Sequence, residues 1–164
     1  MRIIDSMIQE LEQESVNTRK VLERIPDDKM GWKPHAKSQT FAQLGSQLAE
    51  SFRWVGHALE KDEFDLNTKD HKPWLAGSKK EMLEEFDTRL KEALAIMKNQ
   101  PDENLMKMWA FKLDGKKLFE LPKAAVLRSM IFNHSYHHRG QLTVYLRLND
   151  IPVPAIYGPS ADEQ

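Results

Sequence analysis

No cysteine occurs among the 164 residues, which excludes disulfides, zinc–thiolate sites and cysteine nucleophiles together. Long apolar runs are missing too. No stretch approaches the ~20 residues of a membrane span, and Arg2 and Asp5 bring charge into the N-terminus at once, unlike a secretory leader. An excess of one charge is also lacking: 24 Lys and Arg stand against 25 Asp and Glu, for a formal net charge of −1. A nucleic-acid binder would carry a basic stripe. Gly-rich phosphate loops, nucleotide fingerprints and a Ser–His–Asp arrangement are absent as well. The expectations are a single domain over residues 1–164, no nucleic-acid partner, no membrane, and a reducing, cytoplasmic setting.

What is present is helical periodicity. Apolar residues make up 40% and charged ones 30% of the chain, as in a globular protein. Ile4, Met7, Leu11, Val21, Leu22 and Ile25 form one stripe, with charged residues between them, and Pro26 stops it. A second stripe from about Thr40 to Leu59 holds Phe41, Leu44, Leu48, Phe52, Val55 and Leu59, with Ser38 as expected cap. The third begins after Gly77-Ser78, where Ser78 and Glu81 suit a capping box, and carries Leu83, Phe86, Leu90, Leu94 and Met97 up to Pro101. The fourth opens at Pro122 and carries Leu127, Ile131, His134, His138, Gln141, Tyr145 and Leu148.

Between the third and fourth helices the period changes to two. Trp109, Phe111 and Leu113 alternate with Ala110 and Lys112, Asp114-Gly115 follows, and Leu118-Phe119 resumes, which predicts a small β-hairpin. Lys61 to Gly77 reads as a polar connection longer than bundle loops usually are. The fold class is therefore all-α, with four helices, two long connections that permit crossovers, and one hairpin.

One constellation carries chemistry. His134 and His138 stand four apart, one turn on one helical face, and can chelate a single ion. Both lie on the stripe expected to face the core, where polar groups need partners. Such pairs also arise as ordinary hydrogen-bonded histidines. Ser135 occupies the place of a zincin's general base, so that chemistry is excluded. His137 is turned away by about 100°; Arg139 reads as a solvent-facing or inter-subunit ion-pair residue. Gly140 implies a closely packed neighbour. Trp32 reads as a plug at the bundle end, and Trp54 and Tyr136 as core or pocket aromatics.

The run His134-x-x-x-His138-Arg139-Gly140-Gln141-Leu142 through Tyr145-Leu146-Arg147 resembles the last-helix signature of the DinB-like superfamily. The likeness continues in Val153-Pro154 and Tyr157-Gly158-Pro159-Ser160, and upstream in Met30-Gly31-Trp32-Lys33-Pro34 and Leu44 to Glu50. It implies a four-helix bundle with a long crossover, commonly a homodimer, holding a divalent metal such as zinc or nickel on three histidines. Relatives include bacillithiol S-transferases, mycothiol-dependent maleylpyruvate isomerase and metal-dependent hydrolases. His134 and His138 match two ligand positions; the third, on helix 2, holds Gln47 in place of histidine. A carboxamide is a weaker ligand than imidazole for either metal, and Glu50 or His35 are conceivable substitutes. Two readings follow. One is a metal-dependent thiol transferase or hydrolase acting on a small-molecule thiol or electrophile. The other is a degenerate, non-catalytic relative, a dimeric scaffold or small-molecule-binding protein in which Gln47 hydrogen-bonds a neutral imidazole.

Overall fold

The computed structural model describes residues 2–164. Helix α1 spans Ile3–Glu23 and buries Ile4, Met7, Leu11, Val21 and Leu22, the stripe the spacing predicts. Its opening N–H groups have no partner within the helix; those of Ile3 and Ile4 donate to the Asp102 carboxylate at 2.7 and 3.0 Å. A negative group there also suits the positive end of the helix dipole.

Helix α2, Phe41–Glu50, is capped by Thr40 and not by Ser38. Thr40 Oγ1 accepts from the Gln43 N–H at 3.2 Å and Gln43 Oε1 accepts from the Thr40 N–H at 2.8 Å. Only Thr40 has a glutamine three positions on, so only Thr40 completes the reciprocal box. The expected helix to Leu59 is interrupted by a 3-10 turn at Ser51–Arg53 before α3, Trp54–Leu59. Ser51 Oγ donates to the Leu48 carbonyl at 2.8 Å, a side-chain bond that competes with the helical ladder. Gly45 is where α2 meets its neighbour, since a Cβ there would lie 2.5 Å from Met82 Sδ.

Helix α4, Lys79–Lys98, is capped by Ser78, whose Oγ accepts from the Glu81 N–H at 3.2 Å. The Glu81 carboxylate reaches the Gly77 N–H at 2.8 Å instead of closing the box on Ser78. Met82, Phe86, Ala93 and Met97 are its buried face; Leu83, Leu90 and Leu94 flank it. A short helix α5, Asp102–Leu105, follows.

The hairpin forms where the alternation predicts it, as β2, Met108–Leu113, and β3, Lys116–Pro122. Asp114 and Gly115 both take positive φ, 50° and 81°, as a two-residue turn matched to strand twist requires. The sheet has a third strand, however. β1, Glu63–Leu66, pairs in parallel with β2, Phe64 opposite Phe111, so the expected polar connection is partly strand and the two-stranded ribbon becomes a three-stranded mixed sheet. Phe64 and Leu66 alternate with Glu63 and Asp65, but four residues hold too short a signal. Phe64 supports the pairing by stacking on Phe111 and meeting Trp54 edge-on.

Pro122 closes β3 and does not begin a helix; α6 spans Lys123–Val126, and a π-helical stretch, Leu127–Asn133, leads into α7, His134–Leu148. The chain is thus mostly helical with a small sheet. Both α1 and α2 contact α4 and α7, and Phe41, Leu48, Phe86, Leu127 and Leu142 fill the space they enclose. Among the described residues no helix is long and apolar enough to cross a membrane.

Candidate functional site

The two histidines owe their placement to the π-helical stretch. Its i→i+5 bonding takes more residues per turn than an α-helix, so positions beyond Asn133 are rotated back from where a regular 3.6 period would carry them. The core stripe of α7 is consequently Ser135, His138, Arg139, Leu142, Tyr145 and Leu146. His138 is buried as expected. His134 is not: it stands at the mouth of a cleft with one edge open to solvent, which corrects the expectation that both rings point into the core. Gln141 is half-buried, and Leu148 is exposed.

The rings nevertheless converge. Their Nε2 atoms lie 2.9 Å apart, with the ring planes almost perpendicular at 87°. His138 Nδ1 is 2.7 Å from Gln141 Oε1. A carboxamide oxygen only accepts, so Nδ1 carries the proton and the His138 Nε2 lone pair faces His134. Burial, first of all, lowers the pKa of each, and the neighbouring imidazoles push the same way; the Gln141 bond opposes this at His138. Both rings are therefore biased toward the neutral, ligand-competent form. Two nitrogens each 2.0–2.1 Å from one ion stand about 2.9–3.4 Å apart for angles between a right angle and tetrahedral. The observed separation falls at the short end of that interval, and is equally that of an N–H···N hydrogen bond.

Gln47 comes to the same place. It and His134 line one cavity of about 260 Å³, with Glu50, Ser51, Trp54, His71, Pro73 and Met130. Among the described residues Gln47 Oε1 is the buried side-chain polar atom without a hydrogen-bond partner. A buried oxygen left unpaired costs stability, so a Lewis acid or donor from outside the chain fits it. The donor set, two neutral imidazoles and one carboxamide oxygen, suits a divalent ion weakly and leaves it without compensating charge. Among the described residues no three His, Cys, Asp or Glu side chains gather closely enough to share an ion. The glutamine is the reason at the third position. Glu50 lies in the same cavity but pairs with Arg53 at 3.2 Å, and His35 sits in an exposed loop, accepting from the Lys37 N–H.

A second hollow of about 300 Å³ shares Gln47 and Pro73 with the first and continues along Gln39, Gln43, Trp74 and Leu75. A larger one, about 430 Å³, is elsewhere, between α3 and α4 around His57. Its Arg89 is already taken by Glu85 and Glu92 at 2.7 and 2.8 Å, and neither His134 nor Gln47 reaches it.

Other expectations need correction. Arg139 is 3% exposed: it binds Glu14 Oε2 at 2.6 Å, the Glu14 carbonyl at 3.1 Å, Thr18 Oγ1 at 3.2 Å and the Tyr157 hydroxyl. It clamps α7 to α1 and the C-terminal segment and faces neither solvent nor another subunit; helical phase after the π-helical stretch turned it inward. Gly140 has open space where a Cβ would point, so nothing packs against it. Gln47 does not bond an imidazole; Gln141 does. Trp32 does plug one end, against Phe41 and Tyr145. Trp54 lines the cavity, and Tyr136 donates to Glu10 at 2.6 Å. His71, Pro73 and Met130 are cavity residues that no motif announced.

The family model described as the DinB family matches residues 2–164. Over 44 residues the chain is 43% identical to the uncharacterised protein YrdA of Bacillus subtilis (strain 168). That stretch is 27% of this chain, and the chain spans about a quarter of that relative's length, 26%. The fold is similar to that of a DinB-like protein from Bacillus cereus ATCC 10987, with TM-score 0.68 and 23% identity over 93% of this chain and 97% of the other. It is similar also to a DinB-like protein from Bacillus subtilis, with TM-score 0.70 and 18% identity over 93% and 99%.

Proposed function

This chain belongs to the DinB family, and from that premise we propose that His134, His138 and Gln47 hold a divalent metal ion, zinc or nickel, in a metal-dependent thiol S-transferase or hydrolase. The observation that carries this reading is the orphaned Gln47 Oε1, buried on the cavity that His134 also lines. When bound, such an ion lowers the pKa of a coordinated water or thiol and so furnishes a nucleophile at neutral pH. The chain's own residues do the rest. Gln141 holds the His138 ring with its Nε2 lone pair toward the site. Trp54, Pro73 and Met130 give the cavity apolar walls that exclude water beside a small electrophile.

On this reading the chain is one four-helix-bundle domain with a long crossover, working in the cytoplasm, where low-molecular-weight thiols are available. The homodimer that the family likeness implies finds support on α7, where Val144 and Leu148, 57% and 59% exposed, stand one turn apart beside the open Gly140.

A second reading has its own observation. The 2.9 Å contact between His134 and His138, with Gln141 at 2.7 Å, satisfies both imidazoles without an ion, as a scaffold or small-molecule binder without catalysis requires. Elemental analysis of untagged protein separates the two. Stoichiometric zinc or nickel that vanishes in His134→Ala supports the metal centre. A metal-free wild type that gains an ion only with Gln47→His supports the scaffold.

A further inference from the structure

We propose that the hollow beside the histidine cavity is a binding subsite for a neutral secondary amide carrying a flat apolar group, held between Trp74 and a row of glutamines along α2. The assignment needs no ion. It holds whether the histidines carry a metal or bond each other, and so goes beyond both readings above.

The hollow is without charge. It measures about 300 Å³ and is lined, among the described residues, by Gln39, Gln43, Gln47, Pro73, Trp74 and Leu75, none of which ionises. In a chain of which 30% is charged, that is a selective surface. The larger hollow around His57 is the contrast, lined by Arg53, Lys61 and Arg89 together with Glu60 and Glu92. An ionic ligand entering the glutamine hollow gives up its water and meets no counter-charge. Apolar walls with a few placed polar groups are how small-molecule sites are built.

The polar groups stand in a definite order. Gln43 and Gln47 are four apart on α2, hence on one face and about 6 Å apart along its axis; Gln39 continues the row ahead of the Thr40 cap. Gln43 Oε1 accepts from the Thr40 N–H at 2.8 Å, which leaves the amino group of that carboxamide as a donor. Gln47 offers the reverse, since its Oε1 is an acceptor without a partner. A donor followed one turn later by an acceptor matches a trans amide, whose oxygen accepts at one edge and whose N–H donates at the opposite edge. An ester has the first group and lacks the second. Half-buried Trp74 supplies a planar wall for the amide and its apolar substituent. That wall is held in place two residues on, where the Ala76 N–H donates to Ser46 Oγ at 2.9 Å, directly beside Gln47 on α2. Gln47 and Pro73 also line the cavity of His134, so a ligand longer than the hollow extends into the space beside that imidazole.

N-methylbenzamide tests this against methyl benzoate, in which oxygen replaces the N–H, and against benzoate, which is charged. Each is titrated in EDTA into the isotope-labelled full chain, with the tryptophan indole and glutamine carboxamide signals followed by NMR. Gln43→Glu, Gln47→Met and His134→Ala are titrated likewise, with circular dichroism confirming that each is folded. Gln43→Glu keeps an oxygen to cap α2 and removes the donor. The expected result is saturable shifts at Trp74, Gln43 and Gln47 with the amide. Binding should be about fivefold weaker for the ester and in each glutamine variant, the worth of one neutral hydrogen bond. Benzoate should bind at least about tenfold more weakly, and His134→Ala should bind as wild type does. An ester that binds as tightly as the amide, or glutamine variants that bind like wild type, overturns the subsite. So do shifts confined to the His57 hollow, the absence of any saturable shift, or a loss of binding in His134→Ala, which would put the probe in the inner cavity. With EDTA present, none of these outcomes bears on the metal reading.

Discussion

Replacing Gln47 by methionine should make the metal-free protein more stable and, at the same time, less able to hold an ion. Gln47 Oε1 is shut off from solvent and has no partner, and an unsatisfied buried acceptor costs about 1–3 kcal/mol. Methionine keeps the unbranched length and removes the orphan. Because the rest of the side chain is only half-buried, the gain belongs at the low end, about 1 kcal/mol. For a domain of this size that corresponds to a midpoint rise of about 2–4 °C. Thermal unfolding and urea titration in the presence of a chelator measure it. The same melt with added Zn²⁺ should raise the wild-type midpoint by mass action and leave Gln47→Met nearly unmoved. A Gln47→Met protein that melts below wild type in chelator refutes the reasoning, since it means the carboxamide oxygen does useful bonding within the chain.

Arg139→Met should destabilise by about 3 kcal/mol, the low end for a broken buried pair, because it leaves the half-buried Glu14 carboxylate with the Tyr157 hydroxyl as its remaining side-chain partner; adding Glu14→Gln should recover part of that loss in urea unfolding. Two glycines should respond with opposite sign. Gly140→Ala, into open space on a helix, should stabilise by about 0.5–1 kcal/mol, whereas Gly45→Ala drives a Cβ against buried Met82 and Ile25 and should cost about 1 kcal/mol net once overpacking is set against helix propensity. His57, His134 and His138 all have pKa values lowered from 6.5, chiefly by burial. The unfolded chain therefore binds more protons than the folded one just below that value. Their contribution is whole above about pH 6.5 and is lost as pH falls through it toward the folded pKa values. Urea midpoints of the metal-free protein should decline from pH 7 to 5, and a flat profile would contradict the assignment.

Much of the fold is legible because its periods are long. α1 and α4 repeat their apolar residues over several turns, and Asp114-Gly115 marks its turn with residues that tolerate positive φ. β1 is not legible, since its partner strand lies across α4 in sequence and a parallel pair leaves no local turn to read. At the site the spacing of His134 and His138 told truly that their rings meet, but not which one meets solvent. The π-helical stretch that decides this has no compositional mark in Leu127–Asn133, and it also turned Arg139 inward. Gln47 announced itself as a departure from histidine; that its oxygen is left without a partner is a property of packing. His71 lies in a polar stretch with no period at all.

The parallel pairing of β1 has a consequence in time. A two-residue hairpin such as β2–β3 closes in microseconds, but β1 joins it only after the intervening α4 has folded back, a closure over a long stretch of chain. Thr68 and His71 follow β1 directly and take their anchor from Asp114 at the hairpin tip. The cavity's outer wall thus depends on a pairing that closes a long stretch of chain, a larger entropic cost than the hairpin's own turn.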